Sequence, residues 1–205
     1  MSSETPDRLK AAVEALLLAK GEAGLTLRDI TESADANVAA VAYHFKSKDK
    51  LVSLVFGEAL NEVTNLQVER VQTLQPGHTL RDLIEVWLHP LLSSSGQEDR
   101  EAKLWRIIQR GAAEKAPGLL VNMLRAANPV EMILLPLLAS HLPHLEKEEL
   151  LFRHNAILGG LAGLISSPLG MALTEDSARA QSREFMISWI LGSLTGPASS
   201  KARNQ

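Results

Sequence analysis

The sequence predicts an all-α protein, a small N-terminal three-helix unit followed by a larger helical bundle. Three observations lead there. Apolar residues recur at three-, four- and seven-residue spacing along most of the 205 residues, the period of a helix with one buried face. No stretch shows strand-like alternation. Residues Leu25 to Leu54 read as two short amphipathic segments joined by a tight polar turn, followed by a third helix start.

The first helix is expected to start with Thr5 as N-cap and Pro6 at the first helical position. Its buried stripe is Leu9, Val13, Leu16 and Leu17, and Gly21 and Gly24 bracket its end. Thr26 should cap the second helix, whose Leu27, Ile30 and Ala34 share one face. Asp35, Ala36 and Asn37 make the turn, since Asp and Asn tolerate left-handed backbone. The third helix has Val38, Val41 and Phe45 inward and Ala39, Ala40, Ala42, Tyr43 and His44 outward. Two short helices over one small core, the second showing small side chains, suit a helix-turn-helix whose second helix enters a DNA major groove. The plainer alternative is a helical hairpin on a protein surface.

The outward residues have a chemical logic. Alanines allow close approach to base edges, and their methyls can touch a thymine methyl. Tyr43 and His44 can donate to phosphate oxygens. Ser47 caps the following helix, whose N-terminal amides and Lys48 also suit a phosphate. Arg28 and Asn37 are candidates for base-edge contacts. The expected DNA-contacting set is Thr26, Arg28, Asn37, Val38, Ala39, Ala40, Ala42, Tyr43, His44, Lys46 and Lys48.

The stretch LTLRDITESADANVAAVAYHFKSKDKLVSLVF resembles the N-terminal domain of the tetracycline-repressor (TetR) family of bacterial regulators. Thr26, Ile30, Tyr43, His44, Phe45, Lys48 and Leu51 stand at the family's motif positions. Asp35 departs from it, where the family usually has Gly, and so does Thr31, where Ala is common. The motif covers about the first quarter of the chain. The resemblance implies a homodimeric transcriptional regulator, most often a repressor, with a helical effector domain.

From Ser47 a long helix should run to about Gln72 and connect the head, residues 1–47, to the ligand-binding and dimerisation domain, residues 48–205. Gln75-Pro76-Gly77 breaks the chain. Thr79 caps a helix with Leu80, Leu83, Ile84, Trp87 and Leu88 inward, and Ser93 to Gln97 form a loop. Glu98 to Lys115 is helical. From Pro117 to about Leu142 an apolar segment contains Pro129 and Pro136, which should kink or split it. His141 and His144 are closely spaced, but Pro143 spoils a shared helical face, so a metal site is not expected. Glu146 opens another helix. The charge-free run Asn155 to Thr174 is too broken by Ser166, Ser167, Pro168 and Gly170 to span a membrane. Its Gly159, Gly160 and Gly163 let another helix approach, either within the chain or at a dimer seam that also holds Phe185 and Trp189 on the last helix. Pro197 ends that helix and a frayed tail follows.

Composition bounds the function. With 45% apolar and 22% charged residues the chain is a soluble globular type. It has no cysteine, so disulfide and thiolate chemistry are excluded. The start MSSETPDRLK predicts no signal peptide, and a cytoplasmic protein is expected. No phosphate loop or nucleophile elbow is present, so neither an enzyme nor a cofactor is expected. Net charge is −3, and residues 1–50 hold seven Lys/Arg against eight Asp/Glu, which predicts few phosphate contacts. The expected partners are double-stranded DNA with a palindromic operator, a small apolar effector and a second copy of the chain. Trp87, Trp105, Arg106, Met123 and Met132 are candidate effector contacts, with plain core or a solvated face as the alternative. A helical ligand-binding or scaffold protein that has lost DNA binding remains the second reading.

Overall fold

The computed structural model describes residues 4–89, 100–125, 129–165 and 176–199. Among these residues there are ten helices and no strand. They are α1 (Glu4–Lys20), α2 (Leu27–Ser33), α3 (Val38–Phe45), α4 (Lys48–Gln72), α5 (Leu80–Trp87), α6 (Arg100–Ala113), α7 (Pro117–Arg125), α8 (Pro129–His141), α9 (Lys147–Ile165) and α10 (Asp176–Thr195). The expected loop at Ser93 to Gln97, the breaks at Ser166 to Gly170 and the tail from residue 200 lie outside the described residues.

The chain forms two compact units. The first contains residues 1–63 and 95–127, the second residues 64–94 and 128–205. The division between the two units falls inside α4, after Val63.

In the first unit α1, α2, α3, the first four turns of α4, α6 and α7 share one core. Leu9, Val13, Leu17, Ile30, Val41, Leu51, Phe56, Leu104, Ile107 and Leu119 are buried together. Each such side chain contributes roughly 1.5–3 kcal/mol by leaving water. The head thus borrows apolar surface from α6 and α7, more than 50 residues downstream of α3. Thr5 does not cap α1. The helix already includes Glu4, and Pro6 sits in its first turn, where a missing N–H leaves nothing unpaired. Gly21 takes φ +70 and its N–H donates to Leu17 O at 3.0 Å, ending the helix.

Charged ties lie at the edge of this core. Arg100 donates to Glu14 at 2.7 Å and Glu62 at 3.1 Å, and Lys103 donates to Glu14 at 2.9 Å. Burial pushes the Glu14 carboxyl up, but the hydrogen bonds from Arg100 and Lys103 outweigh it and hold the group below its ordinary value.

The second unit packs α5 on α8 and α10, and α9 on α8 and α10. Its core holds Leu83, Ile84, Trp87, Leu138, Leu150, Ile157, Ile187 and Ile190. Thr79 caps α5 and exchanges hydrogen bonds with Asp82, a complete capping box. Pro129 opens α8, but Pro136 sits inside it without ending it. Arg153 of α9 satisfies the free carbonyls at the end of α10, donating to Ser193, Leu194, Gly196 and Pro197 at 2.6–3.1 Å. The Trp87 and His154 rings stack at 5.1 Å. Among the described residues no helix is long and apolar enough to cross a membrane.

A Cβ on Gly111 would lie 2.8 Å from Phe56 Cε1 and 3.0 Å from Leu119 Cδ2. Gly111→Ala should therefore destabilise the protein by about 1–3 kcal/mol despite its better helix propensity. Chemical denaturation checks this, and a gain in stability would refute the packing described.

Candidate nucleic-acid interface

The helix-turn-helix is built from local hydrogen bonds. Thr26 Oγ1 accepts from Asp29 N–H at 3.1 Å, and the Asp29 carboxylate accepts from Thr26 N–H at 2.9 Å. This capping box starts α2. Lys20 donates to the same carboxylate at 2.7 Å. That bond first, and those from Thr26 second, hold Asp29 well below the usual carboxylate range. At the other end Asp35 takes φ +46. Ala36 N–H reaches back to Thr31 O at 2.9 Å and Asp35 N–H to Glu32 O at 3.3 Å, the paired closure that usually places glycine where Asp35 stands. Thr31, the other departure from the family pattern, is buried, and its hydroxyl donates to Arg28 O and Leu27 O. Both departures are thus accommodated within the same fold.

Asn37 caps α3, its Oδ1 accepting from Ala40 N–H at 2.8 Å. That oxygen is committed to the fold. Val41 is buried, and Ala36, Ala40 and Phe45 pack partly against the core. The exposed face is Val38, Ala39, Ala42 and Tyr43. Two side chains therefore lie opposite to the expected pattern. Val38, expected inward, is 52% exposed, because it opens the helix at the margin of the buried arc. Ala40, expected outward, faces the core beside Val41.

Tyr43 is 77% exposed and meets His44 edge to face, ring centroids 4.8 Å apart. Lys46 closes α3 with φ +73. Ser47 Oγ accepts from Lys50 N–H at 3.2 Å and caps α4. Lys48 Nζ donates to Leu25 O at 3.0 Å, tying the start of α4 to the residue before Thr26. Its cation thus has a structural duty that sequence spacing did not reveal. Arg28 is paired with Glu32 at 2.6 Å on the surface of α2. Lys46 and Lys50 are exposed and form no ion pair among the described residues. Lys50 was outside the expected contact set, although it stands beside Lys46 and Lys48 in the sequence.

A second layer holds this corner. Glu22, in the loop before α2, accepts from Gly118 N–H at the start of α7 at 3.2 Å. Glu114 accepts from Glu22 N–H at 3.2 Å and from Arg110 at 2.8 Å. Asn122 Nδ2 donates to Ser53 O at 2.6 Å and Gly118 O at 2.7 Å, its amide lying over Gly57 of α4.

The candidate effector residues are distributed over both units. Trp105, Arg106 and Met123 belong to the first, Trp87 and Met132 to the second. Trp87 is core, Trp105 is partly buried against core, and Arg106, Met123 and Met132 are exposed. On α9 Gly160 is already filled from within its unit, since a Cβ there would lie 2.8 Å from Trp189 Cη2. Gly159 and Gly163 face open space. Phe185 and Trp189 are exposed. No group of three or more metal-ligating side chains occurs among the described residues.

A capped helix-turn-helix with an exposed recognition face, followed by a further helical domain, defines a DNA-binding transcription regulator. Residues 9–55 match the model of the tetR family of bacterial regulatory proteins, and residues 85–196 that of the tetracyclin repressor-like C-terminal domain. The chain belongs to the tetR family, whose members are non-enzymatic DNA-binding regulators. A transcriptional regulator from Rhodococcus sp. Rha1 is 22% identical with a TM-score of 0.61, covering 91% of this chain and 96% of that one. A putative transcriptional regulator from Pseudomonas aeruginosa PAO1 is 18% identical with a TM-score of 0.64, covering 93% and 90%. NalD of Pseudomonas aeruginosa, the secondary repressor of the MexAB-OprM multidrug efflux pump, is 22% identical with a TM-score of 0.59, covering 94% and 98%. No curated protein matches the chain.

Burial raises the Glu22 carboxyl above its ordinary 4.5, against the lowering bond from Gly118. A raised folded-state value means the folded protein binds the extra proton, so stability falls as pH rises from about 4.5 upward. Glu22→Gln keeps an acceptor for Gly118 and does not titrate. Its melting temperature relative to the parent should therefore rise between about pH 4 and about pH 7. A difference that does not change with pH would refute this reading of Glu22.

Proposed function

We propose that the protein is a homodimeric repressor of the cytoplasm. It binds a palindromic operator in double-stranded DNA, and a small, largely apolar effector in the C-terminal domain controls that binding. The observation that carries the reading is the recognition face of α3, exposed and flanked by Tyr43, His44, Lys46 and Lys50, in a chain matching the tetR DNA-binding domain. The sign of control rests on the family resemblance, and repression is the role described for NalD.

Under this reading Val38, Ala39 and Ala42 face bases, while Tyr43, His44, Lys46 and Lys50 meet phosphates and Lys48 supports them from Leu25. A two-fold dimer would set two α3 helices in successive major grooves about 34–36 Å apart. Dimerisation through α9 and α10 is supported by Phe152 and Phe185, which are 73% and 62% exposed. Large apolar side chains left in water on the two helices, together with the open glycines Gly159 and Gly163 of α9, fit a helix-on-helix seam.

Mobility shifts on operators selected from a random duplex pool test the DNA reading. Lys46→Ala and Lys50→Ala should each weaken binding to every sequence and lower the salt slope by about 1. Altered base preference at an unchanged slope would remove them from the phosphate-contacting set. A protein that retains no duplex at all would favour the scaffold reading.

The seam is best tested at Gly163, where a side chain meets nothing within the chain. Gly163→Leu should give a helical monomer by sedimentation and circular dichroism, with operator binding lost. A dimeric Gly163→Leu protein would place the seam elsewhere. Gly160→Leu is a poorer probe, since it collides with Trp189 and should lower stability in either case.

A further inference from the structure

The exposed face of α3 has an unusual chemistry for a base-reading surface. From Val38 to Ala42 the side chains are VAAVA, with no hydrogen-bond donor or acceptor among them. Several polar atoms that flank this run are engaged within the fold. Asn37 Oδ1 holds Ala40 N–H at 2.8 Å, Thr26 Oγ1 holds Asp29 N–H at 3.1 Å, and Arg28 Nε holds Glu32 at 2.6 Å. The side chains that point outward on the face are Val38, Ala39 and Ala42, before Tyr43 closes it.

Such a face cannot read bases by side-chain hydrogen bonds. Among the four bases only thymine presents an apolar group, its C5 methyl, in the major groove. Cytosine's exocyclic amine and guanine's O6 and N7 would lose water against valine and alanine and gain no partner. The face therefore rewards a methyl and penalises a polar edge. The short side chains also let the helix backbone sit deep enough for contact.

We propose that α3 selects its operator through pyrimidine C5 methyl groups, with thymines lying against Val38, Ala39 and Ala42. The proposal rests on the DNA-regulator reading above and adds the chemistry by which sequence is read. Affinity then comes from phosphate contacts at the α3–α4 corner, and discrimination from methyl contact and desolvation.

The test uses the full-length protein and a half-site enriched from a random duplex pool. Thymine at each enriched position is replaced by uracil, which removes the methyl and leaves every hydrogen-bonding group in place. Each contacted methyl should be worth about fourfold in affinity, and about sixteenfold when the same position is changed in both half-sites. Placing 5-methylcytosine opposite guanine at that position restores the methyl but adds the amine, and it should bind more weakly than thymine. In Val38→Ser, an exposed substitution, thymine and uracil at the position beneath Val38 should differ by less than about twofold. Ala42→Ser supplies the same comparison at a second position, and circular dichroism verifies that both variants are folded. Uracil operators that bind as tightly as thymine operators overturn the proposal and leave the regulator reading intact. So do enriched half-sites without thymine. A protein that enriches no sequence and retains no duplex overturns both.

Discussion

The Phe56 ring fixes the first unit. It is fully buried on α4, with Gly111 of α6 and Gly118 of α7 so close that a Cβ on either would lie 2.8 Å or 3.2 Å from it. Two glycines give three helices a common contact. The eight-residue α3 depends on this shared core, because a helix of that length is not stable alone in water. Its own contribution to the core is Val41 with parts of Ala40 and Phe45. The remaining apolar surface comes from α1, α2, α4, α6 and α7. The core that holds α3 therefore includes residues that follow it by more than 50 positions, and cutting the chain at residue 47 would expose that surface.

Features written in short-range chemistry were legible in the sequence. The caps Thr26, Thr79 and Ser47 and the turn at Asp35 follow from residue type and position, whereas the return bonds from Asp29 and Asp82 were not among the expectations although they lie only three residues on. The long α4 and the buried stripes of α1 and α5 follow from period 3.6. What was not legible depends on long separations. Glu22 meets Gly118 across 96 positions, and Asn122 meets Ser53 across 69. Neither pair leaves a local pattern. The orientation of Val38 and Ala40 failed for a different reason. An eight-residue helix has little more than two turns, so the direction of its buried arc is set by its neighbours more than by its own periodicity. The candidate effector residues are mostly large apolar side chains on expected helices. Size marks core and surface contacts as readily as a ligand site, and the structure places these residues in both.

Charge in the N-terminal unit is largely internal. Arg8 pairs with Asp35, Lys10 with Glu58, Lys20 with Asp29 and Arg28 with Glu32. Exposed pairs of this kind add little stability, but they neutralise cations that would otherwise face solvent. In a chain of net charge −3, Lys46 at the end of α3 and Lys50 in the first turn of α4 are exposed and form no ion pair among the described residues. Under the proposed DNA reading, a field confined to one corner would orient the helix on a phosphate backbone without broad non-specific attraction. The small apolar face between Asn37 and Tyr43 complements this arrangement. Weak phosphate binding would then let modest contacts with base edges decide where the protein rests, since discrimination is measured against a low non-specific background. Under the proposed reading, the two tasks of DNA recognition are separated by position, with cations at the α3–α4 corner and methyl groups along the helix.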